Sequence, residues 1–258
     1  MKINNRLLYK TLKVSLLPLG IALLIPMALS AAQKDSGTAT AFLIPALICL
    51  LTGIFSTVML NKSRHISTKK MLIRDGYQIV ICGSFLVLLF SAFPYWLCGQ
   101  HIGIIDGWFL SAASWTTTGV VSIDCSHLPD AVMLWRAITC WLGGFSMLGV
   151  SITIFSRLGI NEQGLLSGPS SISKQNTKLT AHFNGTVKIL LIFYIAMTGA
   201  ELLFLSLSDM SFFTALLNTL SNVSTSGLID TSHSADYFLH TPYVRVVMSV
   251  FALLASVN

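Results

Sequence analysis

Two short stretches carry hydroxyl side chains that run into a glycine: Thr116-Thr117-Thr118-Gly119 and Ser224-Thr225-Ser226-Gly227. Gly119 and Gly227 stand 108 positions apart. Such a run can serve a cation that must shed its water. Backbone carbonyls replace the hydration shell in a narrow pore. Glycine accepts positive φ, which lets consecutive carbonyls face one axis. Threonine and serine hydroxyls add oxygens without a full charge, so the ion can also leave. A ring of Asp or Glu would suit a divalent ion better, and neither hydroxyl–glycine stretch contains one. Alone, a hydroxyl run before a glycine is equally an ordinary loop. The surrounding elements decide.

Residues 103–121 (GIIDGWFLSAASWTTTGVV) and 209–229 (DMSFFTALLNTLSNVSTSGLI) each hold an Asp at or near the start. About ten helix-forming, apolar or small residues follow, and then comes the hydroxyl run. Neither stretch is long enough to cross a bilayer and return as two helices. Each fits a half-helix that enters from outside, followed by an extended return. Irregular backbone at membrane depth survives only where protein buries it or water lines it. The negative C-terminal end of each half-helix would face the cavity and favour a cation there.

The chain that must position these segments has 258 residues, 53% of them apolar and only 10% charged. That composition excludes a disordered chain, a coiled coil and an ordinary soluble enzyme. Spanning helices are expected at about 14–32, 39–60, 77–98, 131–155 and 187–207, with a sixth running from about 243 to the last residue. The first segment also reads as a signal peptide, because basic residues precede an apolar run that closes on ALSAAQ. With the N-terminus inside, thirteen of the sixteen basic residues fall on the inner side. The net charge of +6 therefore reports orientation rather than nucleic-acid binding. Asp35, Asp106, Asp124, Asp130, Asp209, Asp230 and Asp236 fall outside, where they either concentrate cations or merely tolerate that face. The five cysteines form no CxxC pair, the six histidines show no metal-ligand spacing, and no nucleophile–base set or phosphate loop appears. An enzyme is not expected, nor a cofactor beyond a transported ion.

The stretch SAASWTTTGVVSIDCSHLPDAVMLWRAITCWLGGFSMLGVSITIF, residues 111–155, resembles the Trk/Ktr/HKT potassium transporters, most closely the TrkH-type membrane subunit. The resemblance rests on the TTTG run, the following Leu-Pro, Trp135-Arg136 and Trp141-Leu142-Gly143-Gly144, and it extends over nearly the whole chain. It implies an all-α polytopic membrane protein with two leading spans and two span–P-loop–span repeats, the second incomplete. The corresponding segments are 1–74 (two spans and a basic loop), 75–158 (first repeat), 159–183 (cytoplasmic loop) and 184–258 (second repeat). It further implies potassium uptake across the bacterial inner membrane, with the N-terminus cytoplasmic. The filter positions it assigns are Thr117, Thr118, Gly119 and Val120 in the first repeat, and Thr225, Ser226, Gly227 and Leu228 in the second. It also implies a cytosolic nucleotide-binding regulator of the TrkA type. Cys140 stands where the family often has Gln, Gly144-Phe145-Ser146 where it often has Gly-Met-Gly, and Leu228 where it favours Gly-Phe. These departures leave the cation class intact and bear on the preference for K+ over Na+.

Four such repeats close one ring in the family, and this chain holds two. Either it is a truncated or split piece of a longer transporter, or two copies pair. The sixth span stops after about 16 residues, short of a hydrocarbon core of about 30 Å, which favours truncation; the leading reading stays a potassium-uptake subunit, with a non-conducting fragment or assembly partner as the alternative. Arg136, Glu201 and Arg245 are among the charged residues within or near spans. Glu201 could pair with either arginine, or the arginines could serve a pore-helix end; alternatively they snorkel to the headgroups. Cys98 and Cys125 could form a disulfide or remain free thiols. Trp96, Trp108, Trp115 and Trp135 read mainly as an interfacial aromatic belt, with Trp115 placed to pack a pore helix.

Overall fold

In lipid a long apolar run can satisfy its backbone only as a helix or a closed barrel, and this chain takes the first solution. The computed structural model describes residues 5–63, 73–100, 102–123, 128–158, 172–227 and 240–256. Among these residues the chain forms eight helices: α1 (Asn5–Ala32), α2 (Ser36–Ser63), α3 (Ile73–Leu97), α4 (Ile104–Trp115), α5 (Asp130–Leu158), α6 (Ile172–Ser206), α7 (Phe212–Val223) and α8 (Pro242–Ser256). Five of them, α1, α2, α3, α5 and α6, are long and apolar enough to cross a membrane. The expected spans each fall on one helix, and α8 begins where the sixth was expected. One boundary differs. The stretch 159–183 reads as a loop, yet α6 starts at Ile172. Residues 172–183 contain no Pro or Gly, so the helix can extend past its apolar run at little cost in propensity.

The chain divides into two units, residues 1–113 with 120–136, and residues 114–119 with 137–258. In the first unit α1, α2 and α3 pack together. Small residues let two of these backbones approach closely. A Cβ on Gly20 of α1 would lie 2.9 Å from Leu50, and one on Gly53 of α2 would lie 2.9 Å from Leu17. This is the small-residue packing of helices in a bilayer, where apolar burial alone drives little association. Gly53→Leu is expected to destabilise the pair by about 1–3 kcal/mol, the range for overpacking. Thermal unfolding of the detergent-purified protein measures it, and an unchanged midpoint would remove Gly53 from the interface.

Between α1 and α2, Asp35 caps the second helix through a bond from the Thr38 backbone N–H (3.1 Å). Hydrogen bonds from Thr38 hold its carboxyl below the usual aspartate range. That gives Asp35 a local structural task. Trp135, expected in an interfacial belt, is instead fully buried. Its indole N–H donates to the Ser91 carbonyl (3.0 Å) and its ring meets Phe42 edge-on. A buried indole needs such a partner, and Ser91 supplies it.

In the second unit α6, α7 and α8 share a core of Leu205, Met210, Ala215, Val244, Val247, Met248 and Phe251. Ser211 caps α7 in extended geometry and accepts a bond from the Thr214 N–H (3.1 Å).

Candidate functional site

The two half-helices are matched residue for residue. α4 and α7 each have 12 residues, and their first and last positions, 104 and 115 against 212 and 223, differ by the same 108 that separates the two glycines. Their ends match as well. The Thr117 N–H donates to the Ser114 carbonyl (3.1 Å), and the Thr225 N–H donates to the Asn222 carbonyl (2.8 Å). Both chains then follow one backbone path. Thr117 has φ 53° and Gly119 φ 69°; Thr225 has φ 57° and Gly227 φ 62°. Left-handed residues thus recur at every second position in both segments. A β-branched residue at positive φ is a genuine outlier, and such strain, at about 1–3 kcal/mol, marks functional sites. Here it occurs twice, at equivalent positions. Left-handed turns at alternate residues bring successive carbonyls toward one side, which is what a chain of ion-coordinating oxygens requires.

The two hydroxyl sets differ. Thr116 and Thr118 bond to each other through their Oγ1 atoms (2.7 Å). Ser224 and Ser226 both donate to the Ser221 carbonyl (2.9 Å each), so the second set turns back to cap its own half-helix. Thr118, Val120, Thr225 and Gly227 are exposed, whereas Ser226 is buried. Leu228 lies outside the described residues. The segments also touch, because a Cβ on Gly119 would collide with the Ser226 carbonyl oxygen.

Each half-helix is held differently. Ser111 of α4 donates to the Leu88 carbonyl of α3 (2.8 Å) and also bonds Ser91 Oγ. On α7 the holding side chain is Asn222. Its Nδ2 donates to Glu201 Oε1 of α6 (2.6 Å) and to the Met248 carbonyl of α8 (2.9 Å). Glu201 is fully buried, and its Oε2 has no hydrogen-bond partner among the described residues. Pairing with an arginine was one of the alternatives for Glu201; the described partner is an amide. Asn222 went unremarked in the sequence, though a carboxamide at membrane depth is itself a signal; α7 carries a second one, Asn218. Arg136 is buried, and its Nη1 reaches Met133 Sδ (4.0 Å). Arg245 is exposed on α8. Cys98 is a free, buried thiol, and Cys125 lies outside the described residues.

Five apolar spans and a matched pair of half-helices, each ending in left-handed hydroxyl–glycine turns, define a multi-pass membrane protein with tandem re-entrant segments. Residues 47–258 match the TrkH family, whose description is cation transport protein, and the chain belongs to that family. It is 30% identical over 187 residues to the Trk system potassium uptake protein TrkG of Escherichia coli, covering 72% of this chain and 38% of that protein. It is 27% identical over 253 residues to the Trk system potassium uptake protein TrkH of Halomonas elongata, covering 97% and 51%. The crystal structure of the potassium transporter TrkH from Vibrio parahaemolyticus shares the fold, with a TM-score of 0.78 at 23% identity, over 99% of this chain and 50% of that one. The chain thus spans about half the length of relatives it matches.

Proposed function

We propose that this chain supplies two of the filter segments of a potassium-uptake transporter, and that K+ passes over the backbone carbonyls of Thr117, Thr118, Gly119 and Val120, and of Thr225, Ser226, Gly227 and Leu228. The observation that carries this reading is the repeated left-handed backbone at Thr117/Gly119 and Thr225/Gly227. Carbonyl dipoles bind a monovalent ion strongly enough to offset its lost water and weakly enough to release it. The half-helix C-termini add about half a negative charge each. Two segments are half of the ring this reading needs, and the rest comes from further repeats or a second copy. The resemblance and the relatives' names support K+ as the ion, and the resemblance supports an inner-membrane location. The resemblance alone supports the organisation into 1–74, 75–158, 159–183 and 184–258 and a cytosolic nucleotide-binding regulator of the TrkA type. The charge pattern supports a cytoplasmic N-terminus. The reading requires no catalytic group and no cofactor.

A second reading is a non-conducting fragment or assembly partner, favoured by the chain's spanning only about half the length of its relatives. One experiment separates them. A bacterium deficient in potassium uptake is grown at low K+ with this chain alone, and with the chain followed by two further repeats of a relative. Rescue by the chain alone supports paired copies. Rescue only by the longer form supports the filter reading with a fragment. Rescue by neither, with both proteins in the membrane, rejects potassium uptake.

A further inference from the structure

Resting on the filter reading above, we propose that Gly143 and Gly144 of α5 set the spacing of the two filter segments and thereby which monovalent cation they accept. The sites where a Cβ would fall on these adjacent glycines meet the ends of both half-helices. On Gly143 it would run into the backbone of Trp115, the last residue of α4, with the Trp115 carbonyl carbon 2.8 Å away. On Gly144 it would lie 3.3 Å from the Cα of Ser224, the residue that closes α7, and 2.9 Å from the Tyr194 hydroxyl. The proposed filter segments begin two residues beyond Trp115 and one residue beyond Ser224. The obstructing atoms at Gly143 are backbone, so they can give way only by moving a half-helix end.

The rotation of α5 about its axis decides whether both glycines face these ends, and a closed ring of three hydrogen bonds fixes it. The Tyr194 hydroxyl donates to the Trp141 carbonyl (3.0 Å). The Trp141 indole N–H donates to Thr198 Oγ1 (2.9 Å), and Thr198 Oγ1 donates to the Tyr194 carbonyl (2.8 Å). The Trp141 and Tyr194 rings pack with centroids 5.1 Å apart. The ring therefore ties α5 to α6 two and three residues before the glycines. None of these side chains needs to touch the ion. They are positioning residues, and the radius of the oxygen ring is what they position.

The test reads selectivity, since a merely structural role would lower uptake of all cations alike. The chain followed by two further repeats of a relative is expressed in a bacterium deficient in potassium uptake. Uptake of K+ and of Na+ is measured at matched membrane abundance. Gly143→Ala and Gly144→Ala are expected to change the K+/Na+ uptake ratio by about fivefold or more, since specificity is a difference of two affinities. Gly199→Ala on α6, where a Cβ would meet nothing within 4 Å among the described residues, is expected to leave the ratio unchanged. A wild-type ratio in both α5 variants overturns the proposal, as does an equal loss of both ions. If the alanine variants do not reach the membrane, Tyr194→Phe, which opens the ring by one oxygen, is read the same way, and an unchanged ratio there also overturns it. Gly119→Ala run alongside separates the two readings. If Gly119→Ala shifts the ratio and the α5 variants do not, only the spacing role fails. If none shifts it, the filter reading fails too.

Discussion

Gly119→Ala is expected to cut potassium uptake by about 100-fold or more at normal membrane abundance, while Gly227→Ala costs about tenfold. Both glycines sit at positive φ, 69° and 62°. An L-residue there pays about 1–2 kcal/mol because its Cβ crowds the following carbonyl, and about 1.4 kcal/mol corresponds to a factor of ten. That is the whole cost at Gly227, where a Cβ would meet nothing within 4 Å among the described residues. At Gly119 the Cβ would also strike the Ser226 carbonyl, which belongs to the other filter segment. Overpacking adds about 1–3 kcal/mol, and here relief means displacing a carbonyl proposed to hold the ion. Rates of K+ uptake by the two variants, each followed by two further repeats of a relative, check the ordering. Equal losses would show that backbone strain alone matters and that the contact between the segments does not.

The part of this site legible in the sequence was its periodicity. The hydroxyl–glycine runs recur at 108 residues, and α4 and α7 turn out to recur at the same interval. Apolar length fixed the spans, because a bilayer leaves a 20-residue apolar run few alternatives. What stayed hidden was long-range pairing. Nothing local to Trp135 distinguishes a belt tryptophan from one buried on the Ser91 carbonyl. The same holds for Glu201. A lone carboxylate in a span signals a partner, and an arginine was the natural guess from charge. The partner described is Asn222, 21 positions away across a turn between two helices. Likewise the two glycines of α5 read as a family motif, and only the three-dimensional approach of Trp115 and Ser224 shows what they accommodate.

Releasing the second half-helix from Glu201 is the other change expected to matter most. One amide, Asn222 Nδ2, spends both of its N–H groups, on Glu201 Oε1 of α6 and on the Met248 carbonyl of α8. Asn222 lies three residues before Thr225, so its anchorage fixes where the second filter segment starts. Glu201→Leu leaves a donor facing an apolar side chain, and a polar group so orphaned costs about 1–3 kcal/mol. Asn222→Leu removes the donor and strands the carboxyl, which is already the more expensive group to bury. Replacing both by leucine removes donor and acceptor together and is expected to cost less than the two single changes combined, with a coupling of about 1 kcal/mol or more. Thermal unfolding of the four purified forms in detergent measures that coupling, and strictly additive costs would show that the bond contributes nothing. Glu201→Gln keeps an acceptor oxygen in place and is expected to retain most of the stability. The first half-helix offers the contrast. It is held to α3 by a neutral Ser111 hydroxyl on a backbone carbonyl, and Ser111→Ala is expected to cost only about 1 kcal/mol. The two hydroxyl–glycine segments therefore share one backbone path but rest on unequal anchors. The carboxyl–amide anchor on α7 is the one whose loss should loosen selectivity along with stability.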